Sequence, residues 1–501
     1  MIQSTLVRYS LAAALGLAAM GCKKDDFLNV NTDPNRPLTV PPSVLLTGVQ
    51  ATTGFAVGND LGRVTALLIQ HTAGIANQPR TYDTYQLRGS YDNQWNQELY
   101  GGGLNQSQQI INNTQDTSPV YAGFAKLLKA YNFAFTTDLW GDVPYSQALQ
   151  GNLATPNLQP RFDKQEDIYK GNAQLEIQSL FDLVREGLAD LDKPSALKPG
   201  ADDLVYKGDI AKWKQFGNTL LLKLANTISV KEPALATAVI KEVLAKGPSA
   251  IITSNANDFQ VPYGTSVGNQ NPFYAYNYVT RPDDQMLSQR FLDSLRVLRD
   301  PRLPLFFTTT PANSAATTTA VGIFTGYDNA GTAPVPIRAN RSRYNAYVVG
   351  ASGEAPVRII TNFQRAFILA EYYLSQNDLV NAQKLFQEGI TASMTKAGVT
   401  DITKYFTDNP KVVTLAGDNK RMLNQIITQK WIAWVGNGYE AYNDYRRTGY
   451  PRLAIVTNPS SESPTSIPSR LFYPNTEITA NSTNIPTPQP LTTELVWWAI
   501  K

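Results

Sequence analysis

Phe363-Gln-Arg-Ala-Phe367-Ile-Leu-Ala370-Glu-Tyr-Tyr-Leu374-Ser-Gln376-Asn-Asp378-Leu-Val-Asn-Ala382-Gln-Lys-Leu-Phe386-Gln-Glu-Gly-Ile390 decides the fold. Phe363, Phe367, Ala370 and Leu374 recur at three- and four-residue steps, which puts them on one face of a helix. Gln376-Asn377-Asp378 interrupts the pattern, and Leu379, Ala382, Phe386 and Ile390 then resume it. Two amphipathic helices joined by a short polar turn have the size of one tetratricopeptide repeat, and Ala382-x-x-x-Phe386 fits its second helix. No 34-residue self-similarity runs through the whole chain.

The same period recurs on both sides of this pair. Phe124 to Phe135, Ile177 to Leu191 and Trp213 to Ile228 each predict a helix, and Leu423 to Tyr445 predicts a last one. Residues 253–281 and 305–357 carry no such period and are rich in Thr, Asn, Gly, Pro and Tyr. Their aromatic content argues for ordered loops, and long ordered loops are often functional. The stretch from Tyr450 to Lys501 is also non-helical, but Trp497-Trp498 should pack back onto the body. The expected architecture is therefore mainly α. Residues 43–501 form one helical domain of tetratricopeptide-like pairs, with long irregular loops forming a ligand-binding region.

Composition narrows the function. The 501 residues are 43% hydrophobic and 17% charged, with 44 basic against 41 acidic side chains and a net charge of +3. Basic charge this diluted does not describe a nucleic-acid binder. A single cysteine excludes a disulfide framework or a Cys-based metal centre, and a single histidine, His71, excludes a multi-His one. No cofactor motif is present: GxxxxGK[ST], HExxH and GxSxG are all missing. His71 follows the apolar run from Val64 to Gln70 and reads as a structural residue.

The N-terminus assigns the compartment. Arg8 precedes an apolar run from Leu11 to Met20, too short to span a bilayer, and Leu17-Ala-Ala-Met-Gly21-Cys22 follows the pattern of a bacterial lipobox. Residues 1–21 read as a lipoprotein signal peptide and Cys22 as the lipidation site. Residues 22–42 then read as an extended tether. Acyl chains anchor such a protein because each buried methylene contributes about 0.8 kcal/mol.

Two constellations could carry chemistry. Asp138 and Asp142, in Thr137-Asp-Leu-Trp-Gly-Asp-Val-Pro-Tyr145, could act as the carboxylate pair of a surface glycosidase. The alternative is a post-helix turn in which both bond the backbone and Pro144 ends the helix. The second constellation is aromatic: Asn77 to Tyr85 and Tyr91 to Tyr100 interleave Tyr and Trp with Asn, Gln and Asp. Flat rings suit the C–H faces of sugars and amides suit hydroxyls, a mix expected of a neutral polar ligand site. Tyr82, Tyr85, Trp95, Tyr274, Tyr276, Tyr327 and Tyr344 are the candidate ligand contacts.

Several separated segments together resemble the SusD/RagB-type nutrient-binding outer-membrane lipoproteins, in particular the SusD-like subfamily. They are the Cys22 lipobox, Asn31-Thr-Asp-Pro-Asn35, the Trp95 to Tyr100 helix, Asp138 to Ala148, Asp300-Pro-Arg-Leu-Pro304 and Phe324-Thr-Gly-Tyr327. The helix pair at Ala370-Glu371, Gln429-Lys-Trp431, Glu440 to Pro451 and Arg470 to Glu477 complete the set. The resemblance implies a helical fold whose tetratricopeptide-like pairs face a SusC-type TonB-dependent transporter in the outer membrane. It implies binding rather than catalysis, an oligosaccharide or peptide nutrient as ligand, and a lipid-anchored protein facing the cell exterior. Lys23-Lys-Asp-Asp26 resembles the acidic signal that sends such lipoproteins to the surface. Trp95 lies where starch-binding relatives place an aromatic platform. The motifs near Arg446 and Tyr473 are implied to be structural.

Overall fold

The computed structural model describes residues 40–89, 91–151, 155–309 and 323–500; the signal, Cys22 and most of the tether lie outside them. Its longer helices are α1 (Pro42–Gly58), α2 (Asp60–Leu68), α3 (Asn105–Thr114), α4 (Pro119–Trp140), α5 (Leu180–Asp190) and α6 (Ile210–Ile228). They continue as α7 (Pro233–Ala245), α8 (Asn362–Ser375), α9 (Leu379–Ala397), α10 (Asn419–Ala433) and α11 (Gly438–Thr448). Helices adjacent in sequence pack in pairs, α3 on α4, α6 on α7 and α8 on α9, as the hydrophobic period requires.

The pair around Gln376-Asn377-Asp378 shows how local chemistry sets the boundaries. Thr361 caps α8 by accepting from the Gln364 N–H, and Asp378 caps α9 by accepting from the Asn381 N–H. Between them Asn377 takes a left-handed φ of 58°, which reverses the chain in very few residues. Gly398 ends α9, also left-handed. The apolar stripes of both helices, Phe363, Phe367, Phe386 and Ile390, are fully buried.

One predicted helix is divided. Leu423 to Tyr445 is not continuous: α10 stops at Ala433, and Gly436 at φ 90° separates it from α11. The break lets α11 approach α2 closely. A Cβ on Gly438 would lie 2.3 Å from the Ala66 nitrogen, so only glycine fits this crossing.

A continuous core runs from Leu45 to Ala499. The ring of Phe124 on α4 stacks on Trp213 of α6 at 4.0 Å, and Trp213 in turn meets Phe259 edge-on at 5.4 Å. Such pairs contribute about 1 kcal/mol each beyond their buried area. Several buried charges are paired. Lys430 and Arg447 share Glu371 and Asp444 at 2.7–3.3 Å, with side chains 2–6% exposed, and so tie α8, α10 and α11 together. Arg302 grips Asp300 through Nε and Nη2 and reaches Ser393 and Gln429, locking the Asp300-Pro-Arg302 segment under α9 and α10.

Among the described residues, sheet is confined to antiparallel pairs of short strands. Thr72–Gly74 runs beside Gln285–Leu287, and Phe259–Val261 beside Val357–Ile360. The second pair joins the first expected irregular stretch to the end of the other, and the first pair ties the segment between the two to the chain just beyond α2. Among the described residues no helix is long and apolar enough to cross a membrane. The C-terminal stretch folds back as expected: Trp498 is buried and its indole N–H donates to Asp138 at 2.9 Å.

Candidate functional site

A cleft of about 640 Å³ opens between α1, the segment after Asn93 and the turn from Tyr263 to Asn269. It is open at the surface and lined by amides together with the rings of Phe55 and Tyr263. The segment after Asn93 is not an α-helix but a π-helix, Gln94–Leu104. π-Helical turns are rare and concentrate at functional sites. Here the wider turn and three successive glycines let the backbone lie on α1, where a Cβ on Gly102 would come within 2.5 Å of the Thr52 Cγ2. Trp95 and Leu99 face the core, while Asn93, Asn96 and Gln97 are exposed.

Side chains from three elements line the cleft: Thr52, Phe55 and Asn59 near the end of α1, Asn93, Gln94, Gln97 and Glu98 along the π-helix, and Tyr263 and Asn269 from the turn. Phe55 is 43% exposed although it is a large apolar ring, which is how a stacking surface is presented. The turn opposite is closed by the Gly264 N–H donating to the Asn269 carbonyl at 2.8 Å.

Glu98 is the one carboxyl group on this wall among the described residues, and it is buried. Its Oε1 accepts from Asn59 Nδ2 at 2.8 Å and, more weakly, from Gln94 Nε2 at 3.5 Å; its Oε2 has no partner. Burial pushes its carboxyl up to about 7, with the Asp60 charge adding to the rise and Asn59, Arg63 and Gln94 opposing it. The Tyr263 hydroxyl is likewise buried without a partner, and burial together with the Glu98 charge raises it further above the usual phenol range.

A polar chain leads away from the cleft. Arg63 Nη1 contacts Asn59 Oδ1 at 3.4 Å, its Nη2 grips Asp60 at 2.6 Å, and its guanidinium covers the Tyr276 ring at 3.7 Å. Tyr276 in turn donates to Asp284 at 3.0 Å. Of the aromatic candidates, Tyr276 and Tyr274 stay half-buried near the surface, and Tyr274 stacks on Tyr278 at 5.3 Å.

The other aromatic candidates are turned inward. Tyr82, Tyr85, Trp95, Tyr327 and Tyr344 are 5% exposed or less, so none of them presents a ring face to a ligand in this structure. Each has an internal role. Tyr82 donates to Asp60, Trp95 to Glu477, and Tyr327 to the Gly331 and Ala333 carbonyls. The Tyr85 hydroxyl accepts from the Val456 N–H, and Tyr344 is sandwiched between Phe273 and Phe307. A tyrosine whose hydroxyl finds an internal partner is as comfortable in a core as phenylalanine.

The carboxylate pair is structural as well. Asp138 is fully buried and accepts from Tyr169, Trp498, Tyr439, Asn443 and Lys223. Asp142 accepts from the Gln165 N–H at 2.9 Å, so it pins a segment 23 residues on rather than closing its own turn, and the Asp138 carboxylate bonds side chains where the turn reading expected backbone. His71 is buried, with Nε2 2.9 Å from the Trp431 carbonyl; burial lowers its imidazole to about 3, so it stays neutral and donates. Among the described residues no group of three or more His, Cys, Asp or Glu is placed to hold a metal ion.

The fold is a helical-repeat one with a preformed cleft lined by amides and rings, and among the described residues Asp138, Asp142 and His71 are each held in structural contacts. The chain belongs to the SusD-like family described as starch-binding and associating with the outer membrane, whose model matches residues 34–474. In keeping with that family it is a binding protein and not an enzyme. Solved structures share the fold. A chitin-binding protein is 24% identical with a TM-score of 0.75, covering 92% of this chain and 100% of its own. A chitin-binding SusD homologue from Flavobacterium johnsoniae is 22% identical with a TM-score of 0.73, over 91% of this chain and 98% of its own. A SusD-like protein from Bacteroides thetaiotaomicron is 20% identical with a TM-score of 0.75, over 92% and 99%. No curated protein matches by sequence.

Proposed function

We propose that this chain is an outer-membrane lipoprotein, anchored through Cys22 and facing the cell exterior, that captures oligosaccharides and delivers them to a SusC-type TonB-dependent transporter. The observation that carries the reading is the α1/π-helix cleft. It sets an exposed ring, Phe55, beside the amides Asn59, Asn93, Gln94, Gln97 and Asn269, the pairing that sugar C–H faces and hydroxyls call for. Family membership and the chitin-binding neighbours support a glycan as the ligand class. Half-buried Tyr274 and Tyr276 flank the same region and are proposed as secondary contacts. The lipobox supports the anchor, and the helix pairs supply a rigid face for a transporter.

Two measurements test this. A pull-down from gently solubilised outer membranes should recover a large TonB-dependent barrel as the main partner. Titration calorimetry should then show binding of oligosaccharides and no binding of peptides of matched length. Peptide binding without sugar binding would assign the cleft to peptide capture, the competing ligand class. Recovery of no barrel would remove the transporter from the proposal.

A further inference from the structure

Glu98 gives the cleft a chemical preference. The wall presents amides and rings that treat most sugars alike, and Glu98 stands apart as a carboxyl group with one oxygen unpartnered. No lysine, arginine or histidine lines the cleft among the described residues. The nearest guanidinium, Arg63, is already bonded to Asp60 and stacked on Tyr276. The charged groups around Glu98 are thus Asp60 and Arg63 on α2, which hold one another, while Asn59 and Gln94 supply neutral donors. What the site lacks is a cation.

We infer that the cleft prefers oligosaccharides bearing a free amino group, with an ammonium of an amino-sugar unit donating to the Glu98 carboxylate, over neutral or acidic sugars. This rests on the capture reading above and specifies its ligand. An ammonium satisfies the unpartnered oxygen and supplies the missing counter-charge in one contact, whereas a hydroxyl supplies only the first. A uronic or sulfated sugar would bring a second negative charge to a partly desolvated wall. The net charge of the chain, +3, cannot produce such a preference, because it repels cations at long range.

The test compares β-1,4-linked oligomers of equal length built from glucosamine, N-acetylglucosamine and glucose, titrated into the whole mature protein and its Glu98→Gln variant. The expected result is a glucosamine preference of about tenfold, the gain of a charge-assisted over a neutral hydrogen bond, and its loss in Glu98→Gln. Far-UV circular dichroism confirms that the variant is folded, and binding of the N-acetylated oligomer by it serves as the second check. Equal affinity for the three oligomers, or a preference that survives Glu98→Gln, overturns the inference and leaves sugar capture standing. Failure of every oligosaccharide to bind overturns both.

Discussion

Replacing Asp138 by asparagine should be the most damaging isosteric change in the molecule. The Oδ1 of Asp138 accepts from the Tyr169 hydroxyl at 2.7 Å and the Trp498 indole at 2.9 Å. Its Oδ2 accepts from Tyr439 at 2.7 Å, Asn443 at 2.7 Å and Lys223 at 3.3 Å. An asparagine must aim its NH₂ at one of these sets of donors. The better choice faces Tyr169, whose hydroxyl can rotate to accept, and leaves the Trp498 N–H without a partner at a cost of about 1–3 kcal/mol. Lys223, 2% exposed at its side chain, keeps the Tyr439 hydroxyl but loses its ion pair. Removing one partner of a buried pair costs about 3–5 kcal/mol, less here because a neutral acceptor remains. The sum is a loss of about 4 kcal/mol. Urea denaturation followed by tryptophan fluorescence measures it directly. Adding Lys223→Met should recover about 2 kcal/mol of that loss, since the buried charge goes with its partner. A loss below about 1 kcal/mol for Asp138→Asn, or strict additivity of the two changes, would refute the view that this carboxylate organises the core.

Other perturbations separate the cleft from its scaffold. Phe55→Ala should weaken oligosaccharide binding about tenfold with an unchanged melting temperature, because a ring 43% exposed contributes little to the core; intact affinity would move the site elsewhere. Gly438→Ala should do the opposite, costing about 1–3 kcal/mol in a thermal melt, since the new methyl meets the Ala66 backbone at 2.3 Å. Stability should fall as pH rises from about 4 to 7. Burial raises Asp83 and Glu440 to about 7, so the native state holds protons there that the unfolded chain has already lost. For Asp83 the rise from 3.8 to about 7 corresponds to about 4 kcal/mol at most, and Asp83→Asn should flatten that part of the curve.

What the sequence revealed and what it hid follow one physical rule. Burial leaves a periodic trace when a whole face is buried, so α4, α6, α8 and α9 could be read from Phe124, Trp213, Phe363 and Leu379 onward. Helix boundaries set by one glycine leave a weaker trace. Gly436 and Gly438 sat inside an otherwise helical period, and only the proximity of Ala66 makes the break necessary. Asp138 and Asp142 were legible as a choice between chemistry and structure, and convergence of donors from α6, α11 and the C-terminus decided it. No local pattern contains that convergence, because the donors to Asp138 lie 31 to 360 residues away.

The cleft shows the rule from its other side. Aromatic residues drew attention in Tyr91 to Tyr100, yet Tyr91 and Trp95 belong to the core. In a chain with 25 tyrosines, a hydroxyl that finds an internal acceptor removes the penalty that would keep a ring at the surface. The informative residues of that stretch were the unremarkable ones, Asn93 and Gln97 left exposed and Glu98 buried beside them. A helix that buries Trp95 and Leu99 must turn Asn96 and Gln97 outward; Asn96 bonds Thr476, while Gln97 faces the cleft beside the buried carboxyl. Phe55 offered the complementary signal, an apolar ring in α1 that the core does not absorb. Ring count therefore located the neighbourhood, but the identity of the site lay in which side chains the core declined to cover.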